Sequence, residues 1–160
     1  MAHEPRLMRA LRALLHEHRV ASLGTLGPGG EPQVSMVPYA IAAAPGCIVI
    51  HVSGLAAHTR NLQATPSVSL MVMQSEVAGE PVHALPRVSL EARAEVLAPD
   101  SATWARCRDA YLARFPEAEP MTALGDFRFV ALAVTGARHV AGFGAARTVD
   151  AQELALVLGP

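Results

Sequence analysis

The chain has no lysine; all 13 of its basic residues are arginine. We read this bias as genome composition, and it excludes Schiff-base mechanisms, which need a lysine amine. Cysteine is scarce as well: Cys47 and Cys107 stand alone, without the CxxC or CxxH spacing of a metal site, and read as buried free thiols. No segment offers the ~18 to 20 uninterrupted apolar residues of a membrane span, and residues 1–19 carry charge throughout, unlike a signal peptide. The expectation is a cytoplasmic protein with no membrane partner. A net charge of -1 gives no electrostatic reason to expect nucleic acid either. No Ser, His and acid set, HExxH or Walker-type glycine loop is visible, and Gly142-Phe143-Gly144 lacks the GxGxxG context of a dinucleotide site. If the protein is an enzyme, a cofactor carries its chemistry.

What is present is apolar. Hydrophobic residues make up 51% of the 160 positions and charged ones 17%, too little charge to cover a core generously, so a buried subunit interface is expected. The length suits one domain, 1–160. Leu7, Met8, Leu11, Leu14 and Leu15 recur at helical spacing over Glu4 to His18. Arg19 to Leu26 and Pro32 to Ala42 read as a hairpin around GPGGE. Further strands are expected at Cys47 to Ser53, Ser67 to Ser75 and Arg87 to Leu97, the last with clean alternation of Val88, Leu90, Ala92, Ala94 and Val96 against polar residues. Glu76 to Pro86 reads as a loop. Asp100 or Ser101 opens a long helix that Pro116 ends; Trp104 and Tyr111 on one of its faces are expected to pack on the sheet. Phe127 to Val134 and Ala137 to Phe143 read as two strands joined by a turn at Thr135 and Gly136, and Asp150 with Glu153 as a capping box for a helix from Ala151 to Leu158. Short turns dominate the connections, which predicts a mainly β protein with peripheral helices, an antiparallel barrel of six to seven strands.

Residues His51 to Val72 hold the densest cluster of polar groups. Ser53 ends a strand, Gly54 turns the backbone, and His58, Thr59 and Arg60 fall in the first turns of a short helix whose free N–H groups favour an anion. The plain alternative is a connecting helix with Asn61 and Gln63 facing solvent. His51 reads as a hydrogen-bonded core or edge residue, His83 as a loop residue able to lie over a substrate, and Met71 and Met73 as core filling. His16 and His18, two apart on a helix, do not make a metal pair.

Taken in order, VASLGTLGPGGEPQVSMVPYA, HVSGLAAHTRNLQATPSVSLMV, LPRVSLEARAEV, ARFPEAE with GDFRFVALAV, and ARHVAGFGAAR resemble the FMN-binding split barrels related to pyridoxamine 5′-phosphate oxidase, in particular the HugZ-like heme-utilisation branch. The resemblance spans Val20 to Arg147 and implies a homodimer with FMN at its interface, working as a flavin-dependent oxidoreductase on a small-molecule substrate or electron donor. By position, Ser35, Met36 and Val37 would run beside the flavin ring. Ser53, His58, Thr59 and Arg60 would hold its phosphate and ribityl chain, and Arg87 would reach the flavin. Phe143 and Arg147 of the second subunit would cover the ring. The pattern has an arginine near position 35 and a lysine near position 58, where this chain has Ser35 and His58, which implies modest FMN affinity. A basic carboxy-terminal motif for pyridoxal phosphate is not recognisable, which counts against vitamin B6 oxidation. The alternative reading is a heme-binding or heme-degrading protein. That branch uses a carboxy-terminal histidine as its iron ligand, and the last histidine here is His139. A non-catalytic flavin-binding dimer is the remaining reading.

Overall fold

Residues 4–160 are described by the computed structural model, and most of them fall in eight strands and four helices. α1 (Arg6–Glu17) turns the expected apolar stripe inward at Leu11, Leu14 and Leu15. β1 (Val20–Leu26) and β2 (Pro32–Pro38) form the hairpin, with Gly30 at a positive φ of 83° that L-residues disfavour. Tyr39 then separates β2 from β3 (Ala40–Ala42); its ring is buried and its hydroxyl donates to the Leu15 carbonyl at 2.6 Å. β4 (Cys47–Ser53), α2 (Ala57–Ala64), β5 (Ser67–Met73) and β6 (Arg87–Val96) follow as the patterns predict. Ser101 caps α3 (Ala102–Arg114) by accepting the Trp104 N–H, and a 3-10 segment covers Pro116–Ala123.

The strands run β2-β1-β5-β6-β7-β4-β3, every pairing antiparallel, with β8 added on β7. β2 approaches β4 across the opening, which curls the sheet into a split barrel. Leu23, Ile50, Leu70, Leu90 and Leu132 fill its inside, closed by Leu62 of α2 at one end and by α1 and α4 (Ala151–Leu158) at the other. A second core lies outside, where α3 packs Tyr111 and Cys107 on Val49 and Phe129. β4 is therefore buried on both faces, which explains its unbroken apolar run.

The arginines clamp backbone carbonyls. Arg12 donates to Leu156 and Val157 at the end of α4, and Arg114 to the carbonyls of His16 and His18 at the end of α1 and of Tyr39. A planar fork at a helix C-terminus satisfies several orphan carbonyls at once.

Three expectations change. The two strands around Thr135 and Gly136 are one, β7 (Phe127–Val140). Its register on β6 shifts between Glu91 and Ala92, so Thr135 is the extra residue of a β-bulge, a kink that bends a strand without ending it. The real reversal is Ala141–Ala145, where Gly142 and Gly144 have positive φ, and it leads into β8 (Ala146–Asp150). Met71 and Met73 point to the exposed face of β5, whose buried residues are Val68, Leu70 and Val72. The Asp150 cap forms, with its carboxylate accepting the Glu153 N–H at 2.8 Å, but Glu153 itself turns to Arg147.

Candidate functional site

At the α2 end of the barrel the polar residues from Ser53 to Asn61 come together. Ser53 Oγ donates to Asp126 Oδ2 at 2.9 Å and accepts the Leu55 N–H at 3.2 Å. The Gly54 N–H donates to the Asp126 carbonyl at 2.5 Å, and a Cβ on Gly54 would stand only 3.0 Å from that oxygen, so glycine is required by close approach. Thr59, fully buried, donates its hydroxyl to the Ser53 carbonyl at 2.6 Å. Asn61 is buried too, contrary to the solvent-facing alternative. Its side-chain amide donates to Thr25 Oγ1 at 3.1 Å and Gln33 Oε1 at 2.7 Å, pinning α2 to β1 and β2. No side chain caps α2. Arg60 is exposed and donates to the Leu55 carbonyl, while burial lowers the His58 pKa and favours the neutral ring.

The β2 residues lie on an edge strand, where one row of backbone N–H and C=O groups has no ladder partner. Met36 faces out at 66% exposure, Val37 points into the core, and the Ser35 hydroxyl is buried without a hydrogen-bond partner. Arg87, Phe143 and Arg147 sit elsewhere. Ser53 pairs with Phe127 and Arg87 with Val140, at opposite ends of the 14-residue β7, so one protomer does not bring Arg87 to the Ser53 cluster. Arg87 donates to the carbonyls of His83 and Leu85. Phe143 is almost wholly exposed at the tip of the β7–β8 turn. Arg147 is engaged by both carboxylate oxygens of Glu153, at 2.8 and 2.7 Å.

A flavin phosphate is a poor match for the Ser53 cluster. The hydroxyls of Ser53 and Thr59 are already committed, Asp126 brings a carboxylate, and Arg60 turns to the Leu55 carbonyl. The donors present do not fit a tightly held dianion.

The histidines divide by environment. His51 is stacked on Phe129 at 4.3 Å, beside Phe127 and Tyr111, and burial pushes its pKa down to about 4. His139 is buried on the inner face beside Arg147, and burial followed by that charge lowers its pKa. His18, half-buried at the end of α1, has Nδ1 2.9 Å from the Leu14 carbonyl, an oxygen that can only accept, so in a neutral ring the lone pair falls to Nε2. It lines a groove of about 450 Å³ whose walls include Ala10, Leu14, Val77 and Pro86. The spacing of His16 and His18 argues only against a metal pair and is silent on His18 alone. The signal it carried was its place at the helix end, where a carbonyl is free to fix the ring.

Residues 7–141 match the pyridoxamine 5′-phosphate oxidase family. Heme oxygenase HutZ of Vibrio cholerae is 29% identical over 150 residues, 93% of this chain and 84% of that protein. A heme-binding protein of Mycobacterium smegmatis superposes with a TM-score of 0.85 at 28% identity, over 97% of this chain and 62% of its own length, so the chain spans less than two thirds of that protein. The crystal structure of HutZ, described as a heme storage protein of Vibrio cholerae, gives a TM-score of 0.73 at 27% identity, covering 80% of this chain and 89% of that one. The split barrel, its strand order and these matches together place the chain in the pyridoxamine 5′-phosphate oxidase family, within its HugZ-like branch.

Proposed function

We propose that the protein binds heme as a homodimer and serves heme utilisation, with His18 as the iron-facing imidazole. The observation that carries this reading is the His18 geometry. A ring whose Nδ1–H is held by a backbone carbonyl has its Nε2 lone pair fixed outward, the arrangement usual for metal-binding histidines. The groove beside it offers apolar walls for a porphyrin, and relatives at 27 to 29% identity are named for heme. When bound, the group would supply the redox chemistry; the protein's part is to hold the ring, orient the iron and limit water around it.

The dimer face in this reading is the outer side of β1, β2 and β5. Met36 and Met71 both register on Ser22, and Val34 and Ser69 on Gly24, so exposed apolar residues flank small central ones on an uncharged surface with a shallow cavity along Gly24, Val34 and Ser69. Such a patch on a chain with little charge suits a second copy of itself.

Adding hemin to the purified protein is expected to give a sharp Soret band near ~400 nm that shifts and weakens in His18→Ala. No Soret change in the wild type would overturn the heme reading.

A flavin remains the second reading, favoured by the unpartnered Ser35 hydroxyl beside the open edge of β2. In that case the protein is an FMN-dependent oxidoreductase with modest affinity. It would show flavin absorbance near ~450 nm and bleach with NADH or NADPH.

A further inference from the structure

Cys47, the first residue of β4, and Cys107, in the middle of α3, stand with their Sγ atoms 4.0 Å apart in the outer core. They are the two cysteines of the chain, and both are free and buried. They lie 60 residues apart in sequence, so their meeting is made by the packing of α3 on the sheet. A disulfide needs ~2.05 Å, a closure of about 2 Å that two side-chain rotations and a small slip of α3 can share. A cavity of about 440 Å³ opens beside the pair, with Cys47, Arg93, Glu95 and Thr103 but not Cys107 in its lining, so Cys47 is the cysteine that a small molecule in it meets first.

We propose that Cys47 and Cys107 form a peroxide-sensitive dithiol that closes reversibly to a disulfide joining β4 to α3. One sulfur attacks an oxygen of hydrogen peroxide. The O–O bond breaks, a sulfenic acid forms, and the departing hydroxide takes the thiol proton to become water. The second sulfur then attacks the sulfenic sulfur, the S–S bond forms, and the displaced hydroxide takes the second thiol proton as another water. Two electrons pass from the sulfurs to peroxide, and the balance is two thiols plus one peroxide to one disulfide plus two waters. Hydrogen bonding to Cys107, followed by burial, raises the Cys47 pKa and slows its attack, while the hydrogen bond to Cys47 lowers the pKa of Cys107. The bond would lock α3 over the aromatic cluster that includes His51, Tyr111 and Phe129.

The test is to treat the full chain with hydrogen peroxide, quench, denature in N-ethylmaleimide and map tryptic peptides. The expected product is Cys107-Arg108 linked to the peptide Val20 to Arg60, about 2 Da lighter than the two free peptides together, formed within monomers and returned to two labelled thiols by dithiothreitol. Both thiols still labelled after peroxide, or each bearing its own oxygen adduct with no linked peptide, would overturn the proposal. Cys107→Ala should lose the linked product while Cys47 stops at a dimedone-reactive sulfenic acid. A Cys47 that stays fully reduced in that variant, under conditions that link the wild type, would overturn Cys47 as the sulfur that peroxide reaches first.

Discussion

Replacing His51 with phenylalanine should make the protein resistant to mild acid. In the native state the ring is held among Phe127, Phe129 and Tyr111, its Nδ1 has no partner, and burial pushes its pKa down to about 4. In the unfolded chain an imidazole takes its ordinary value of ~6.5. Between those values the unfolded state binds more protons than the native state, so stability falls as pH falls through this window. At pH 5 the expected loss from His51 is about 2 kcal/mol, rising to about 3 kcal/mol below pH 4, where both states are protonated and the effect saturates. Phenylalanine keeps the ring in the cluster and removes the proton. The measurement is urea unfolding of wild type and His51→Phe from pH 7.5 to 4. Burial lowers His58 and His139 in the same sense, but their effect is shared by both proteins and cancels in the difference. His51→Phe should gain about 2 kcal/mol on the wild type between pH 7.5 and pH 5. A stability difference that does not change with pH would refute the assignment of a neutral, proton-excluding His51.

Arg114→Met should lower stability by about 2 to 3 kcal/mol in thermal or urea melts, because it frees the carbonyls of His16, His18 and Tyr39 and removes the guanidinium 5.1 Å from the Tyr39 ring. Asp126→Asn removes the carboxylate bonded to Ser53 and should raise FMN affinity about tenfold by fluorescence titration if the phosphate enters there; unchanged affinity would place it elsewhere. Met36→Asp puts a charge on the outer face of β2 and should turn the proposed dimer into a monomer by sedimentation; an unchanged sedimentation coefficient would refute that face as the contact.

Strands with one buried face were legible because alternation marks them, as in Val88 to Val96. The caps at Ser101 and Asp150 were legible from local chemistry. Thr135 and Gly136 misled because a bulge and a turn use the same residues; what decides between them is the long partner β6, which holds both flanks in register. Met71 and Met73 misled because both faces of β5 carry apolar residues, with Val68, Leu70 and Val72 on the buried one, so composition did not mark which face is inside. At the candidate site, the sequence grouped Ser53, His58, Thr59 and Arg60; of these, Thr59 bonds the Ser53 carbonyl, while Arg60 turns to the Leu55 carbonyl. It could not reveal that Asp126, 73 positions away, occupies the Ser53 hydroxyl, since that pairing is created when β7 aligns with β4. Nor could spacing reveal that Glu153 engages Arg147.

The chromophore that the protein keeps decides between heme and flavin. Purified protein given equal hemin and FMN, then passed through a sizing column with absorbance read across the visible range, should elute at dimer size with a Soret band near ~400 nm and little flavin. Elution with bands near ~370 and ~450 nm and no Soret band would contradict the heme assignment and return the flavin to first place.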